Sequence, residues 1–160
     1  MSTEAPGRDK PFVAVVGIDG SNPSLAALTH ACALARARGG IVHALRAVAV
    51  ETVAFLDTPL DLHEERQQLR ALCHERAGGV AQVVAHVAVE RPERALEQLA
   101  REVDADVIVV GTSRRGPLRH LLWGATAERL VRRASRPVVI VPEGDDREGD
   151  HREAQMRHET

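Results

Sequence analysis

Two short stretches hold residue types that could bind a small anionic ligand: Gly17-Ile18-Asp19-Gly20-Ser21, and residues 111–126, GTSRRGPLRHLLWGAT. A glycine-containing loop that runs into a helix start suits phosphate. Backbone N–H groups can converge on the anion without a Cβ in the way, and the helix dipole adds favourable potential. Arg114, Arg115 and Arg119 could add charge. The same letters also describe an irregular loop with solvated arginines, and the loop alone does not choose between the two. Asp19 is similarly open: it reads as a helix-capping or turn-making aspartate, or as an acceptor for a ligand donor.

Several other chemistries find no pattern here. Gly111 and Gly116 have the glycine spacing of a P-loop, but Pro117-Leu118 stands where Lys and Ser/Thr belong. Without that lysine and hydroxyl, rapid phosphoryl transfer is hard to build. No GxGxxG follows the first apolar run, which argues against a dinucleotide site of the usual kind. There is no Gly-x-Ser-x-Gly elbow, and Ser21, Ser24 and Ser113 have no evident base in sequence, so no catalytic residue is assigned. The eight histidines form no HxH, HExxH or Cys/His cluster, and Cys73-His74 diverge on a helix, so neither a structural nor a catalytic metal is expected. Arg129, Arg132, Arg133 and Arg136 read as a solvated face, with Glu128 four residues before Arg132 as an ion-pair partner.

The elements that must position the two stretches follow from apolar patterning. Residues 12–18 (FVAVVGI) form a short Val-rich run typical of a buried strand. Ser21 or Asn22, with Pro23 after it, starts a helix that Gly39-Gly40 ends. A strand over 41–50, a polar loop with Thr58-Pro59, and a helix over 61–77 closed by Gly78-Gly79 come next. Then come a strand over 80–89, a helix opened by Arg91-Pro92-Glu93 that runs to residue 103, and an apolar strand over 106–110 stopping at Gly111. After the 111–124 loop, a helix to residue 134 leads to a strand over 138–141, between Pro137 and Pro142. The alternation predicts an α/β fold with a doubly wound, five-stranded parallel sheet flanked by four helices. In such sheets ligands sit at the carboxyl ends of the strands near the reversal of strand order, which is where both stretches fall.

At 160 residues there is room for one domain and one core. The 44% hydrophobic and 28% charged content is that of an ordinary globular chain, but Phe12, Phe55 and Trp123 are the only Phe or Trp and Tyr is absent. Any base-binding pocket is therefore expected to be aliphatic. Lys10 is the only lysine among many arginines, read as the coding bias of a GC-rich bacterial genome. Residues 1–10 and the acidic tail 143–160, with seven acids against three arginines, have too few apolar residues to fold and are expected to be disordered, leaving 11–142 as the folded domain. Cys32 and Cys73 are far apart and outside any CxxC, as expected of buried thiols in a reducing compartment. With no signal peptide pattern and no membrane-length apolar run, a soluble cytoplasmic protein is expected.

Residues 15–21 (VVGIDGS), 106–113 (DVIVVGTS) and 136–142 (RPVVIVP) make the span 12–142 resemble the universal stress protein family. That resemblance implies strand order 3-2-1-4-5 and binding of ATP or AMP, and it leaves open whether Mg2+ accompanies the nucleotide. The family's phosphate motif is Gly, two residues, Gly, nine residues, Gly, then Ser or Thr. Gly111 and Gly124 match its first and third glycines; Arg114 replaces the second, and Ala125 the hydroxyl residue, with Thr126 following. Losing one neutral hydrogen bond would weaken binding by only ~1 kcal/mol. A side chain at 114 either closes the phosphate approach or pairs with the phosphate, and Gly116 restores some loop freedom. The resemblance places Asp19 at the acidic position that contacts adenine, with Gly17, Ile18 and Ala47 in the pocket wall, and Thr112 and Arg115 join the phosphate-side set. It also implies a homodimer through antiparallel pairing of Val138, Val139, Ile140 and Val141, an edge strand whose unpaired groups need cover.

Three functions follow for weighing: a nucleotide-binding stress module acting through conformation or partners, hydrolysing ATP slowly if at all; a dimeric scaffold of the same family that has lost the nucleotide; and a nucleic-acid binder using the arginines. The third is weakest, because stacking aromatics are nearly absent and the tail is acidic.

Overall fold

Val-rich runs without polar alternation bury both faces, and only a parallel sheet with helices on both sides supplies two apolar faces. A computed structural model describes residues 10–78, 82–113 and 124–144. Five strands, β1 (Val13–Gly17), β2 (Ile41–Val48), β3 (Gln82–Val89), β4 (Val107–Thr112) and β5 (Val138–Pro142), form one parallel sheet in the order β3-β2-β1-β4-β5. Between them run α1 (Asn22–Ala37), α2 (Val50–Ala54), α3 (Leu62–Ala77), α4 (Pro92–Glu102) and α5 (Ala125–Arg133). The doubly wound sheet and its strand order are as the sequence implied.

Alternate residues of the central strands face two separate cores. Ala14, Val16, Val107 and Val109 pack with α1 and α3; Val13, Val15, Ile108 and Val110 pack with α4 and α5. Leu28, Leu69, Leu96 and Leu130, one from each of the four long helices, are fully buried. Each such leucine contributes about 1.5–3 kcal/mol relative to exposure. Asp106 ties β4 to β1 at the entry end: its N–H donates to Val13 O at 2.8 Å and its Oδ2 accepts from Val13 N at 2.9 Å.

Helix boundaries follow local chemistry. Ser21 caps α1, its Oγ accepting from Ser24 N. Asp61 caps α3 by accepting from the N–H groups of His63 and Glu64, and Gly78, at φ 61°, closes that helix in the left-handed region.

The count of helices differs from the four expected. Residues 49–54 read as the end of a strand and the start of a loop, but β2 stops at Val48, where its register with β3 ends at Val89. Beyond that pair there is no ladder partner, and Val50–Ala54 closes instead into a single helical turn with no buried residue. β4 runs two residues past the expected end, because Gly111 and Thr112 still pair with Val141 and Pro142.

Candidate functional site

The strand order reverses between β1 and β4, and a cleft of about 250 Å³ opens there at their carboxyl ends. Its floor and walls are aliphatic: Ile18, Leu45, Ala47, Leu96 and Val110, with Pro92 at the start of α4. No aromatic residue lies among its described lining. Its polar lining comes from Asp19, Ser21 and Ser24, which follow β1, and from Gly124, Ala125 and Thr126 at the start of α5.

Asp19 follows β1, where Gly20 (φ 86°) lets the chain turn into α1. Its Oδ1 accepts from Ser21 N at 2.9 Å and from the Ser21 hydroxyl. Burial alone would push its carboxyl up, but these bonds from Ser21, with help from Ser24, outweigh it and hold the group below its ordinary 3.8. Asp19 is therefore both the turn-maker and an anionic acceptor at the rim. A carboxylate only accepts, so it suits an amine or hydroxyl of a ligand and repels a phosphate.

The lining supplied by the start of α5 is suited to an anion. Gly124 occupies the N-cap of α5 and provides no side-chain cap, so the first-turn N–H groups of that helix meet no capping side chain, and Ala125, Thr126 and Ala127 line the cleft. The positive end of the helix dipole points the same way. The two motif glycines have different reasons to be glycine. A Cβ on Gly111 would lie 2.1 Å from the carbonyl oxygen of Pro23, so close packing of β4 against α1 demands it. Among the described residues, a Cβ on Gly124 would meet nothing within 4 Å. Packing among the described residues gives no reason for glycine at 124; an open approach to the cleft does.

Of the residues singled out from sequence, Gly17, Ile18, Asp19, Ala47, Gly111, Gly124, Ala125 and Thr126 line this one cleft. Thr112 is not in the lining; it is buried, and its Oγ1 has no hydrogen-bond partner among the described residues. Arg114, Arg115, Gly116 and Trp123 lie outside the described residues. Sequence reasoning passed over Leu45, Pro92, Leu96 and Val110 as cleft walls. The strand parity that puts Ala47 in the wall also selects Leu45, two residues earlier on β2, but the helix-borne Pro92 and Leu96 carry no such signal.

The sequence pattern of the Universal stress protein family matches residues 13–142. The chain belongs to the universal stress protein family. Among curated relatives it is 31% identical over 137 residues to a universal stress protein of Mycolicibacterium smegmatis, covering 83% of this chain but 46% of the relative, so it spans about half that protein's length. A universal stress protein of Methanocaldococcus jannaschii is 29% identical, with 79% of each chain covered. Among solved structures, a universal stress protein in complex with cAMP superposes with a TM-score of 0.62 at 26% identity, covering 83% of this chain and 98% of that one. A universal stress protein of Archaeoglobus fulgidus in complex with dAMP shares the fold at 22% identity and a TM-score of 0.57, covering 81% and 97%.

Other features of this universal stress protein bear on chemistry. Cys32 and Cys73 are free and buried, and burial pushes both thiols up, Cys73 to about 11. So little thiolate makes them inert packing groups. Among the described residues no group of three or more His, Cys, Asp or Glu is placed to hold a metal ion, and no helix is long and apolar enough to cross a membrane. β5 is an edge strand, as the implied dimer requires.

Proposed function

We propose that this protein is a cytoplasmic universal stress protein module that binds an adenine nucleotide, ATP or AMP, in the cleft between β1 and β4 and acts through conformation or partners rather than by catalysis. The observation that carries this reading is the polarity of the cleft. The cleft brings together the Asp19 carboxylate, aliphatic walls and the side-chain-free N-terminus of α5 at Gly124. An exocyclic amine, an apolar ring face and a phosphate are the three groups that these features would take. The cAMP and dAMP complexes of relatives support the same ligand class. Among the cleft's described lining residues, Asp19 is the one carboxylate, and its bonds hold it ionised as a turn-maker, a poor general base for hydrolysis. ATP turnover is accordingly incidental and slow.

A second reading, a dimeric family member without a nucleotide, is favoured by Ala125, which lines the phosphate rim where the motif has a hydroxyl. Trp123, the only tryptophan, directly precedes Gly124 in the sequence. Millimolar ATP or AMP is expected to change its fluorescence and to raise the melting temperature by linkage. No change in either would select the second reading.

A further inference from the structure

His43 on β2 and His86 on β3 take no part in the cleft, yet they are in direct contact. His43 Nδ1 and His86 Nε2 lie 2.9 Å apart, with ring centroids 5.1 Å apart and the rings inclined by 31°. Such a bond needs one ring to donate its N–H and the other to present a lone pair. Register explains the meeting: His86 is opposite Leu45, two residues beyond His43, so both rings project from the same face of the sheet. Among the described residues β3 is an edge strand paired with β2 alone. α3 packs along its other face, whereas on the histidine side α4 covers β1 and β2, leaving Val84, His86 and Ala88 half-exposed.

We propose that the His43–His86 pair is an acid-sensitive clasp that holds the edge strand β3 onto β2 and releases it when both rings are protonated. The proton count sets the behaviour. With no added proton, one ring donates to the other. With one, an imidazolium donates to a neutral imidazole and the bond survives in charge-assisted form. With two, both nitrogens carry hydrogen, no lone pair remains, and two cations face each other at hydrogen-bond distance.

The surroundings set the direction. Burial lowers both imidazoles from the ordinary 6.5; His86 is further lowered by His43 and by Arg66 from α3, and raised by Glu102 from α4. Glu102 also accepts from Gln98 at 2.9 Å, and β1 brings no ionisable residue. A depressed folded value means that the unfolded chain takes up protons first as pH falls. Stability is then complete above about 6.5 and is lost on acidification, with a limiting slope of about tenfold in the unfolding constant per pH unit for each histidine.

The experiment is NMR titration of the imidazoles in the full chain together with amide exchange across Gln82–Val89 at about pH 7.5 and pH 5. Expected are titrations of His43 and His86 below that of a histidine in an unstructured peptide. Exchange of β3, corrected for the chemical rate, should be about tenfold faster at the lower pH. The double variant His43→Val/His86→Val should lose that pH dependence. Should the double variant not fold, His86→Gln, whose amide keeps a neutral bond to His43, should likewise flatten it. Titration of both rings at the unstructured value, or the same acid loosening of β3 without the pair, overturns the clasp.

Discussion

Gly111 and Pro23 sit so close that β4 and the first turn of α1 touch backbone to backbone, with 2.1 Å between the Pro23 carbonyl oxygen and any Cβ placed on Gly111. The glycine that opens the phosphate motif is thus held in place by packing as well as by any ligand. Gly111→Ala is expected to cost about 1–3 kcal/mol by overpacking, read as a lower urea midpoint. Gly124→Ala meets nothing within 4 Å among the described residues and should cost under about 1 kcal/mol, while weakening AMP binding in a calorimetric titration. Equal loss of stability in the two variants would contradict this division.

Substitution separates the turn that Asp19 makes from its proposed contact with the nucleotide. Asn keeps an Oδ1 for the Ser21 bonds and removes the charge. Asp19→Asn should hold its melting temperature and bind AMP about tenfold more weakly, the loss of a charged hydrogen bond. Asp19→Ala should also lose about 1 kcal/mol of stability with the turn. Wild-type affinity in the Asn variant would leave Asp19 a turn-maker alone.

Glu97 on α4 fastens the turn between α5 and β5. Its Oε1 accepts from the Ser135 hydroxyl at 2.6 Å, from Ser135 N at 3.1 Å and from Arg101 Nε at 2.9 Å. Burial raises its carboxyl, but the Ser135 and Arg101 bonds outweigh that and leave it below its ordinary 4.5. A depressed carboxylate stabilises above its unfolded value and loses that contribution as pH falls through the folded one. Glu97→Gln should therefore be less stable by about 1–2 kcal/mol at neutral pH, with the gap narrowing in acid below the ordinary value. Urea melts of both proteins at several pH values decide it; a constant gap would be the wrong outcome.

The edge position of β5 predicts association. Its outer backbone groups are unpaired within the sheet, and Val138, Val139, Ile140 and Val141 are each half-buried. Light scattering at micromolar concentration should give twice the mass of one chain, through antiparallel pairing of this strand across a two-fold axis. A single-chain mass would leave the edge uncovered in solution and reject the pairing.

Much of the fold was legible because its signals are local. Pro23 after Ser21, Asp61 before a helical stretch, and Gly78 in the left-handed region each act within one turn of chain. The Val-rich runs could only be buried strands, and the stretch 106–113 with its glycine stop pointed to the strand end that lines the cleft. The end of β2 was not legible: Val50–Ala54 has strand-like residues, and whether they extend depends on a partner on β3 that ends at Val89. The meeting of His43 and His86 was likewise hidden, since no spacing rule joins residues on two strands whose register is unknown.

By itself, the sequence determined the alternation of strands and helices, the helix caps, and the placing of Asp19, Gly111 and Gly124 at strand and helix ends, because each rests on backbone conformation or on chain-neighbour hydrogen bonds. The tertiary structure alone decided which glycine is there for packing, which aliphatic side chains wall the cleft, and that two histidines forty-three residues apart share one hydrogen bond. Those outcomes depend on strand order, register and the approach of α1 to β4, distances that exist only once the sheet has closed.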